Sequence, residues 1–567
     1  MNPRPDRQAV FAPKLLTALR EGYGMTAFRQ DALAGMTVAI VALPLAMALA
    51  IASGTTPDKG LVTAVVAGFL ISALGGSRFQ IGGPTGAFIP VVYAVISQHG
   101  FDGLVIATLM AGVLLVLAGV LRVGALMRFM PQPLITGFTS GIAVIIAASQ
   151  LKDALGLPVD KVPADFIPKV RVLAEHLGEF NPWALAMTAG SVALIVALRR
   201  WVPRAPGFLL AVVLSALAVR LADLPVDTLA SRFGGIPSTL PMPQLPAISF
   251  ERVATLIPSA LTIAFLAGIE SLLSAVVADG MTGGKHRPNT ELVAQGIANT
   301  ASALVGGLPA TGAIARTATN IRSGARTPVA GMLHAAFILA FMWLLAPLAG
   351  YVPLPALAGV LLVVAWNMSD HAHFRHTLRA PRGDRAVLLA TFALTVLVDL
   401  TFAIEVGLVI AAFVFMARMA EVVDVQSGLK LIDDADAAPE DLSQRARVPD
   451  GVQVYRISGP LFFGVSGRLE SLIDESHKPL RAYILRMGQV PLVDASGAHA
   501  LRTLYERCRA RGAHLVISGL QPQPRRTLAR MHLPDAGDGL HLVRDFDAAL
   551  ALVETLPMPD PVTRTSR

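Results

Sequence analysis

Charged residues are scarce in this sequence. Only 15% of its 567 residues are Asp, Glu, Lys or Arg, whereas 54% are hydrophobic, and the mean hydropathy is +0.59. Soluble globular domains carry about 25% charged residues. The shortage argues against a soluble enzyme, a disordered scaffold and a fibrous protein. It indicates instead a polytopic membrane protein, in which one body can be much longer than a soluble domain.

Cysteine and the common catalytic motifs are also nearly absent. Cys508 is the one cysteine, so no internal disulfide can form and no oxidising compartment is needed. Residues 283–286 lack the earlier glycine and the Ser/Thr of a phosphate-binding loop, so no nucleotide motor is predicted. No nucleophile–base set and no metal-ligand spacing stands out. We therefore expect no enzymatic activity, no cofactor and no metal.

The charges that are present divide the chain unevenly. Of the last 120 residues 27 are charged, against 59 of the first 447. The net charge of +8 does not indicate nucleic acid, because the basic residues cluster beside apolar segments as membrane anchors do. The predicted parts are a cytoplasmic N-terminal segment (1–33), a transmembrane transport domain (34–420), a linker (421–447), a soluble domain (448–556) and a tail (557–567). Residues 11–19 either form an amphipathic helix on the membrane surface or belong to a mobile N-terminus.

Apolar runs recur along the first 420 residues. A transmembrane helix needs about 20 predominantly apolar residues; twelve runs approach that length, and two shorter segments begin with Gly and Pro. The fourteen predicted segments are 34–52, 60–76, 84–97, 102–121, 131–150, 182–200, 206–222, 254–278, 290–307, 309–321, 327–348, 353–367, 385–399 and 402–417. Loops after even-numbered segments hold Lys and Arg with few acidic residues. This pattern predicts that those loops and both termini are cytoplasmic.

The two short segments resemble each other. Residues 82–87 read Gly-Gly-Pro-Thr-Gly-Ala and residues 306–313 read Gly-Gly-Leu-Pro-Ala-Thr-Gly-Ala. They are the third and the tenth segments, so each is third in its half of seven, and an odd repeat length inverts the second half in the membrane. Such a pair is typical of a transporter's binding site. The alternative is two unrelated Gly/Pro kinks in ordinary helices.

These segments suit an anion. A helix that begins within the membrane leaves N–H groups without partners, and its dipole favours a negative ligand. Gly86 and Gly312 would allow a ligand to approach the backbone closely. Arg316 follows about one turn later; it either contacts the anion or is an anchor that extends toward the cytoplasm.

Glu270 is the second notable charge, since it lies in the middle of an apolar segment. Burial favours the neutral form of a carboxyl, which makes Glu270 a candidate proton carrier. Ser274 is one turn further along the same face and would hydrogen-bond the ligand or ion. The alternative is a structural glutamate that is permanently protonated or paired with an arginine.

The soluble part alternates strand and helix patterns. Strands are predicted at 452–457, 482–487 and 514–518, and helices at 468–474 and 498–510. This alternation predicts a small α/β domain.

At this point the sequence resembles a known family. Residues 37–44, 82–86 and 313–317 are similar to the SulP anion transporters, also called solute carrier family 26. Residues 459–464 and 493–497 resemble the STAS domain that follows the transmembrane part in that family. The resemblance covers residues 30–556. It implies two inverted repeats of seven segments, like those of uracil transporters, with a core domain that moves against a gate domain, usually in a homodimer.

The resemblance also implies a substrate site between segments 1, 3, 8 and 10. Sodium-coupled bicarbonate members carry Asp at the position of Glu270, Thr at that of Ser274, and a further Thr where Ile314 stands. These departures weaken the case for sodium, and glutamate resembles the proton-coupled members. Carried onto this sequence, the substrate positions are Ala46, Met47, Ala48, Thr85, Gly86, Ala87, Phe88, Gly312, Ala313, Ile314, Ala315 and Arg316, with Glu270 and Ser274 for proton coupling.

Two further resemblances refine the expectation. Residues 268–273 and 279–283 are most similar to DauA-type C4-dicarboxylate transporters. Ser496 matches the serine that is phosphorylated in stand-alone STAS regulators; the alternative is that Ser496 caps a helix.

The sequence thus predicts a secondary active transporter in the bacterial inner membrane, with its STAS domain in the cytoplasm. The predicted reaction is proton-coupled uptake of succinate or fumarate by an elevator-like movement. One alternative is a sulfate or bicarbonate symporter or an anion exchanger of the same family. Another is a membrane sensor whose STAS domain signals to a cytoplasmic protein partner. The expected partners are the small anion, protons, the lipid bilayer and a second copy of the chain, and no nucleic acid.

Overall fold

The computed structural model describes most of the chain. The described residues are 11–125, 131–159, 162–202, 205–235, 241–244, 246–398, 400–422, 424–427, 447–463, 480–531 and 539–557. They form two compact units, Met1–Ala411 and Ala412–Arg567. The helix predicted at 468–474 and most of the predicted linker lie outside the described residues.

The first unit is helical. Each of the fourteen predicted apolar segments coincides with a helix or part of one, and among the described residues seven helical stretches have the length and composition to cross a membrane. The helices up to the second unit are α1 (Lys14–Arg20), α2 (Met25–Ala52), α3 (Pro57–Leu74), α4 (Ile89–Val120), α5 (Gln132–Leu155), α6 (Phe166–Glu175), α7 (Pro182–Trp201), α8 (Gly207–Ala222), α9 (Leu229–Phe233), α10 (Phe250–Thr282), α11 (Pro288–Leu304), α12 (Ile314–Arg322), α13 (Val329–Ala349), α14 (Leu354–Met368), α15 (His371–Thr377), α16 (Arg382–Leu397) and α17 (Leu400–Val422).

Helix boundaries differ from the predicted ones where polar residues continue a helix. α2 begins at Met25, nine residues before the predicted apolar run. Residues 25–33 are thus helical although several of them are polar. Segments 3 and 4 follow each other in α4, and Gly100 separates them with φ of +69°, a conformation that glycine adopts without strain. The short helices α6 and α15 lie in loops and have no long apolar run that would predict them.

The helices of the first unit pack in two groups. The core group, α2, α3, α4 and α10 to α13, contains segments 1–4 and 8–11; the gate group, α5, α7, α8, α14 and α16, contains segments 5–7, 12 and 13. Small residues let the core helices approach closely. A Cβ added at Gly296 of α11 would lie 2.5 Å from the carbonyl oxygen of Gly112 in α4.

The N-terminal helix α1 is attached to the core group. The Lys14 backbone N–H donates to the carbonyl of Gly75 (2.9 Å), and Arg287 Nη1 donates to the carbonyl of Ala12 (2.6 Å) and to Thr17 Oγ1 (3.2 Å). These contacts argue against a mobile terminus, whereas the helix of the other alternative, an amphipathic helix on the membrane surface, is present at Lys14–Arg20 and its place on a membrane stays a prediction. The polar anchors that hold the segment lie far away in the sequence, which explains why its own pattern did not reveal them.

The second unit contains a five-stranded sheet. Its strands are β3 (Asp424–Ser427), β4 (Val452–Ser458), β5 (Ala482–Gln489), β6 (His514–Ser518) and β7 (Leu540–Val543), in the order β3-β4-β5-β6-β7. β4 to β7 are parallel and β3 is antiparallel to β4. Helices α18 (Ala495–Ala510), α19 (Pro522–Arg530) and α20 (Phe546–Thr555) accompany the sheet. The predicted α/β domain is confirmed, and β3, β7, α19 and α20 add to the predicted elements.

Candidate functional site

The two Gly/Pro segments cross inside the core group. Gly82–Gly83 (β1) pairs antiparallel with Thr311–Gly312 (β2), and the paired residues are Gly82 with Gly312 and Gly83 with Thr311. (β1 and β2 precede the five strands of the second unit in the chain.) All four residues are buried. The alternative of two unrelated kinks is therefore wrong, because the segments meet residue for residue.

Each strand is followed at once by a helix start. After β1, Thr85 is extended and a 3-10 turn at Gly86–Phe88 leads into α4; after β2, Ala313 is extended and α12 begins at Ile314. No side chain caps either start. Free N–H groups and the positive ends of two helices are thus brought to one crossing, an arrangement that favours an anion.

Glu270 of α10 reaches this crossing. Thr85 Oγ1 donates a hydrogen bond to Glu270 Oε2 (3.0 Å), and the glutamate is only partly buried. Among the described residues it forms no ion pair within 4.0 Å, so an arginine-paired glutamate is not what the structure contains. Ser274, one turn along α10, is fully buried and shares a hydrogen bond with Thr317 Oγ1 of α12 (3.0 Å).

Arg316 of α12 points inward. Its side chain is 4% exposed, so it is not an anchor that extends to the cytoplasm. Nη2 donates to the carbonyl oxygen of Pro84, whereas Nη1 has no hydrogen-bond partner. A Cβ added at Gly83 would lie 2.6 Å from Nη1, so a side chain there would displace the guanidinium. Arg316 thus ties α12 to the chain before the 3-10 turn and keeps one buried N–H group unpaired.

The other predicted positions differ in accessibility. Ala46, Met47 and Ala48 of α2 are 1% exposed and pack in the same core cluster as Ala87 and Phe88. Ile314 and Ala315, in contrast, are exposed at the first turn of α12. The accessible part of the crossing is therefore formed by Thr85, Glu270 and the start of α12, with α2 packed behind it.

A fully buried carboxylate of the core group, Glu291, was missed by the sequence analysis. Glu291 of α11 is 0% exposed and accepts three hydrogen bonds: from the Gly76 N–H (2.8 Å), Ser271 Oγ (3.0 Å) and Gln295 Nε2 (3.0 Å). Ser271, the neighbour of Glu270, in turn accepts from Gln80 Nε2 (2.7 Å).

The same face of α11 continues this polar network. Asn299 bonds both the N–H and the carbonyl of Ala310, just before β2 (2.8 Å each). Glu291, Gln295 and Asn299 recur at four-residue spacing, which places them on one helix face. This polar stripe within an apolar segment is the sequence pattern from which the buried network of Glu291 could have been predicted.

Asp494, and not Ser496, caps α18 of the second unit. Asp494 Oδ1 accepts from the Gly497 N–H (2.8 Å), and Ser496 is the second residue inside the helix. The predicted capping role of Ser496 is wrong because an acidic residue two positions earlier occupies the N-cap. Its hydroxyl lies in the first helical turn and is partly exposed.

Comparison with protein-family models identifies both parts of the chain. Residues 28–391 match the sulfate permease family, and residues 443–545 match the STAS domain. The chain belongs to the sulfate permease family. It is therefore an anion transporter and not an enzyme, as predicted.

Individual relatives cover almost the whole length. YvdB of Bacillus subtilis (strain 168), named as a candidate sulfate transporter, is 43% identical over 515 residues, which are 90% of this chain and 95% of YvdB. The bicarbonate transporter BicA of Picosynechococcus sp. is 30% identical over 522 residues, 89% of this chain and 91% of BicA. The structure of the murine anion transporter Slc26a9 matches with a TM-score of 0.85 at 16% identity, covering 98% of this chain and 96% of that one. The predicted fold, a helical polytopic membrane domain followed by an α/β STAS domain, is confirmed.

Proposed function

We propose that this sulfate permease family member is a secondary active transporter of a compact inorganic anion, with sulfate as the first candidate and bicarbonate as the second. The observation that carries the proposal is the crossing itself. Two helix starts, the unpaired Nη1 of Arg316 and the partly exposed Glu270 converge on one small volume. The site thus offers donors to an anion and a carboxyl for a proton.

The relatives support the choice of anion. YvdB is named for sulfate and BicA for bicarbonate, and both cover about nine tenths of this chain. The prediction of succinate or fumarate, drawn from a resemblance to DauA-type transporters, therefore ranks behind sulfate and bicarbonate. It remains a competitor that the first experiment includes.

The proposed cycle uses the predicted residues in distinct roles. The anion binds at the helix starts after Thr85 and Gly312, and Arg316 attracts it. Glu270 takes up a proton as the anion loads, so that two negative groups do not face each other in a medium of low dielectric constant. The core group then moves against the gate group in an elevator-like step. We place the protein in the plasma membrane as a homodimer, with both termini and the STAS domain in the cytoplasm.

The STAS domain is proposed to regulate this cycle. Ser496 lies in the first turn of α18, where a phosphate group would be tolerated by the helix dipole. A cytoplasmic protein partner that recognises this surface would then read the phosphorylation state.

Competition in proteoliposomes identifies the anion. Uptake of labelled sulfate is measured with an inward proton gradient and an excess of unlabelled sulfate, bicarbonate, chloride or succinate. We expect sulfate to compete best. Preferential competition by succinate would restore the dicarboxylate prediction. If no labelled sulfate is taken up, the assay is repeated with labelled bicarbonate, and uptake of neither would contradict the proposed function.

Glu270→Gln tests the proton coupling. The variant retains an oxygen that accepts from Thr85 but cannot titrate. We expect its uptake to lose the response to a proton gradient, whereas Glu251→Gln, an exposed glutamate in the first turn of the same helix, should behave as wild type. A gradient response like that of wild type in Glu270→Gln would refute the coupling role.

A further inference from the structure

The gate group comes close to the crossing at Gly86. Gly86 begins the 3-10 turn, and a Cβ added there would lie 2.9 Å from Met368 Sδ and 3.2 Å from Ile146 Cδ1. Met368 is the last residue of α14, and Ile146 lies on α5. Two gate side chains therefore stand against the backbone of the helix start at which the anion is proposed to bind, and they come this close because residue 86 has no side chain.

This wall carries no charge. Residues 354–368 of α14 contain no Asp, Glu, Lys or Arg. The charged residues of α5 are Lys152 and Asp153 in its last turn, and six residues of helix separate Lys152 from Ile146, about 9 Å along the axis. Arg199 contacts the residue before Met368, where its exposed guanidinium donates to Asn367 Oδ1 (2.9 Å).

The polar groups identified at the crossing lie on the core side, and the two gate side chains against Gly86 are apolar. Arg316, Glu270, Thr85 and the backbone N–H groups all belong to the core group, and the gate contributes Met368 and Ile146. A compact anion has one charged centre, which the core side can satisfy alone. An elongated dianion has a second carboxylate some distance away, and that carboxylate would be pressed against thioether and methyl groups without a hydrogen-bond donor.

We propose that Met368, supported by Ile146, is a specificity-determining residue that limits the length of the transported anion. The inference rests on the proposed function, because it assumes that the anion binds at the start of the 3-10 turn. Met368 acts by occupying space and by offering no donor. Shortening it should admit longer anions, whereas replacing it by a side chain of similar volume should not.

The test compares two anions in the same vesicles. Full-length wild type, Met368→Ala, Met368→Leu and Ile146→Ala are reconstituted, and the initial uptake of labelled sulfate and labelled succinate is measured in parallel. We expect the ratio of succinate to sulfate uptake to rise about tenfold in Met368→Ala, the size of effect that a few methylenes exert in a binding pocket. Ile146→Ala should raise it in the same direction, and Met368→Leu should stay within about twofold of wild type.

The outcomes separate the two proposals. A residue that only stabilises the fold would lower both uptake rates together and leave their ratio unchanged. If both alanine variants transport sulfate and keep the wild-type ratio of succinate to sulfate uptake, the inference is wrong and the proposed function stands. The inference also fails if wild type takes up succinate as well as sulfate. If wild type takes up neither anion, the inference fails, and uptake of labelled bicarbonate then decides whether the proposed function stands. Should Met368→Ala not elute as a monodisperse protein, Ile146→Ala decides.

Discussion

Glu291 offers the sharpest test of how the core group is held together. Its carboxylate accepts hydrogen bonds from three parts of the chain: the turn at Gly76 before β1, Ser271 of α10, and Gln295 of its own helix. It is fully buried and forms no ion pair within the described part of the chain. Replacing Glu291 therefore perturbs three elements around the crossing without touching the crossing itself.

The size of the effect follows from the donors that lose their acceptor. Each buried polar group left unsatisfied costs about 1–3 kcal/mol, so Glu291→Ala, which strands three of them, should cost about 3–9 kcal/mol. Folded domains are stable by only about 5–15 kcal/mol. Glu291→Gln retains one acceptor oxygen for Ser271 and Gln295 and turns its amide toward the Gly76 N–H. It should therefore cost about 1–3 kcal/mol, since a single donor is left unpaired.

Thermal unfolding of the purified full chain, followed by intrinsic tryptophan fluorescence, measures these differences. Glu251→Ala is the matched control, because Glu251 occupies the first turn of α10 as Glu291 does that of α11, but it is exposed. We expect the unfolding temperature to fall in the order control, Gln, Ala. An alanine variant that unfolds at the temperature of the control would show that the three hydrogen bonds contribute nothing, and the reasoning would be refuted.

Three further predictions concern single contacts. Thr85→Val removes a hydrogen bond to the carboxylate of α10 worth about 1.5–3 kcal/mol and should lower kcat/KM for uptake about tenfold or more; Thr37→Val, whose hydroxyl bonds only its own helix, should leave it unchanged. Burial raises the pKa of the Cys508 thiol to about 12, so the thiol is protonated at neutral pH. A maleimide should therefore label Cys508 only after denaturation. Stoichiometric labelling of the native protein would contradict this prediction. Asp494→Ala should destabilise α18 by about 1 kcal/mol, and Ser496→Ala by less than about half of that. Hydrogen exchange of residues 495–510 in the full chain measures both effects. Equal effects of the two variants would reject the assignment of Asp494 as the cap.

Much of the fold was predictable because a membrane protein shows its elements in its hydrophobicity. The fourteen predicted segments fall in thirteen helices, because segments 3 and 4 share α4, and the paired Thr-Gly-Ala segments meet in one short sheet. The ends of the helices were harder to predict from the sequence. Residues 25–33 continue α2 although they are polar, since a hydropathy pattern marks the lipid-exposed or buried stretch and not the hydrogen-bonded helix.

The residues of the candidate site were predictable where a charged side chain lies in an apolar segment. They were not predictable where the contact depends on a partner far away in the sequence. Arg316 and Glu270 stood out because an isolated charge in an apolar segment is costly. The wall formed by Met368 and Ile146 did not, because an apolar side chain in an apolar helix carries no signal. Met368 comes close to Gly86 only through the packing of segments that lie 282 positions apart in the sequence.

Three charged residues of the core group, Glu291, Arg316 and Glu270, differ in how completely their hydrogen-bonding groups are paired. Glu291, behind the crossing, accepts three hydrogen bonds. Arg316, at the crossing, keeps one nitrogen bonded and one unpaired, and Glu270 accepts a single bond and remains partly exposed. Buried polar groups in folded proteins are normally paired, and departures from this rule concentrate where a ligand or a function supplies the missing partner. Of these three groups, the two at the place where β1 and β2 meet keep more hydrogen-bonding capacity free than Glu291 behind it, which supports the anion site proposed there.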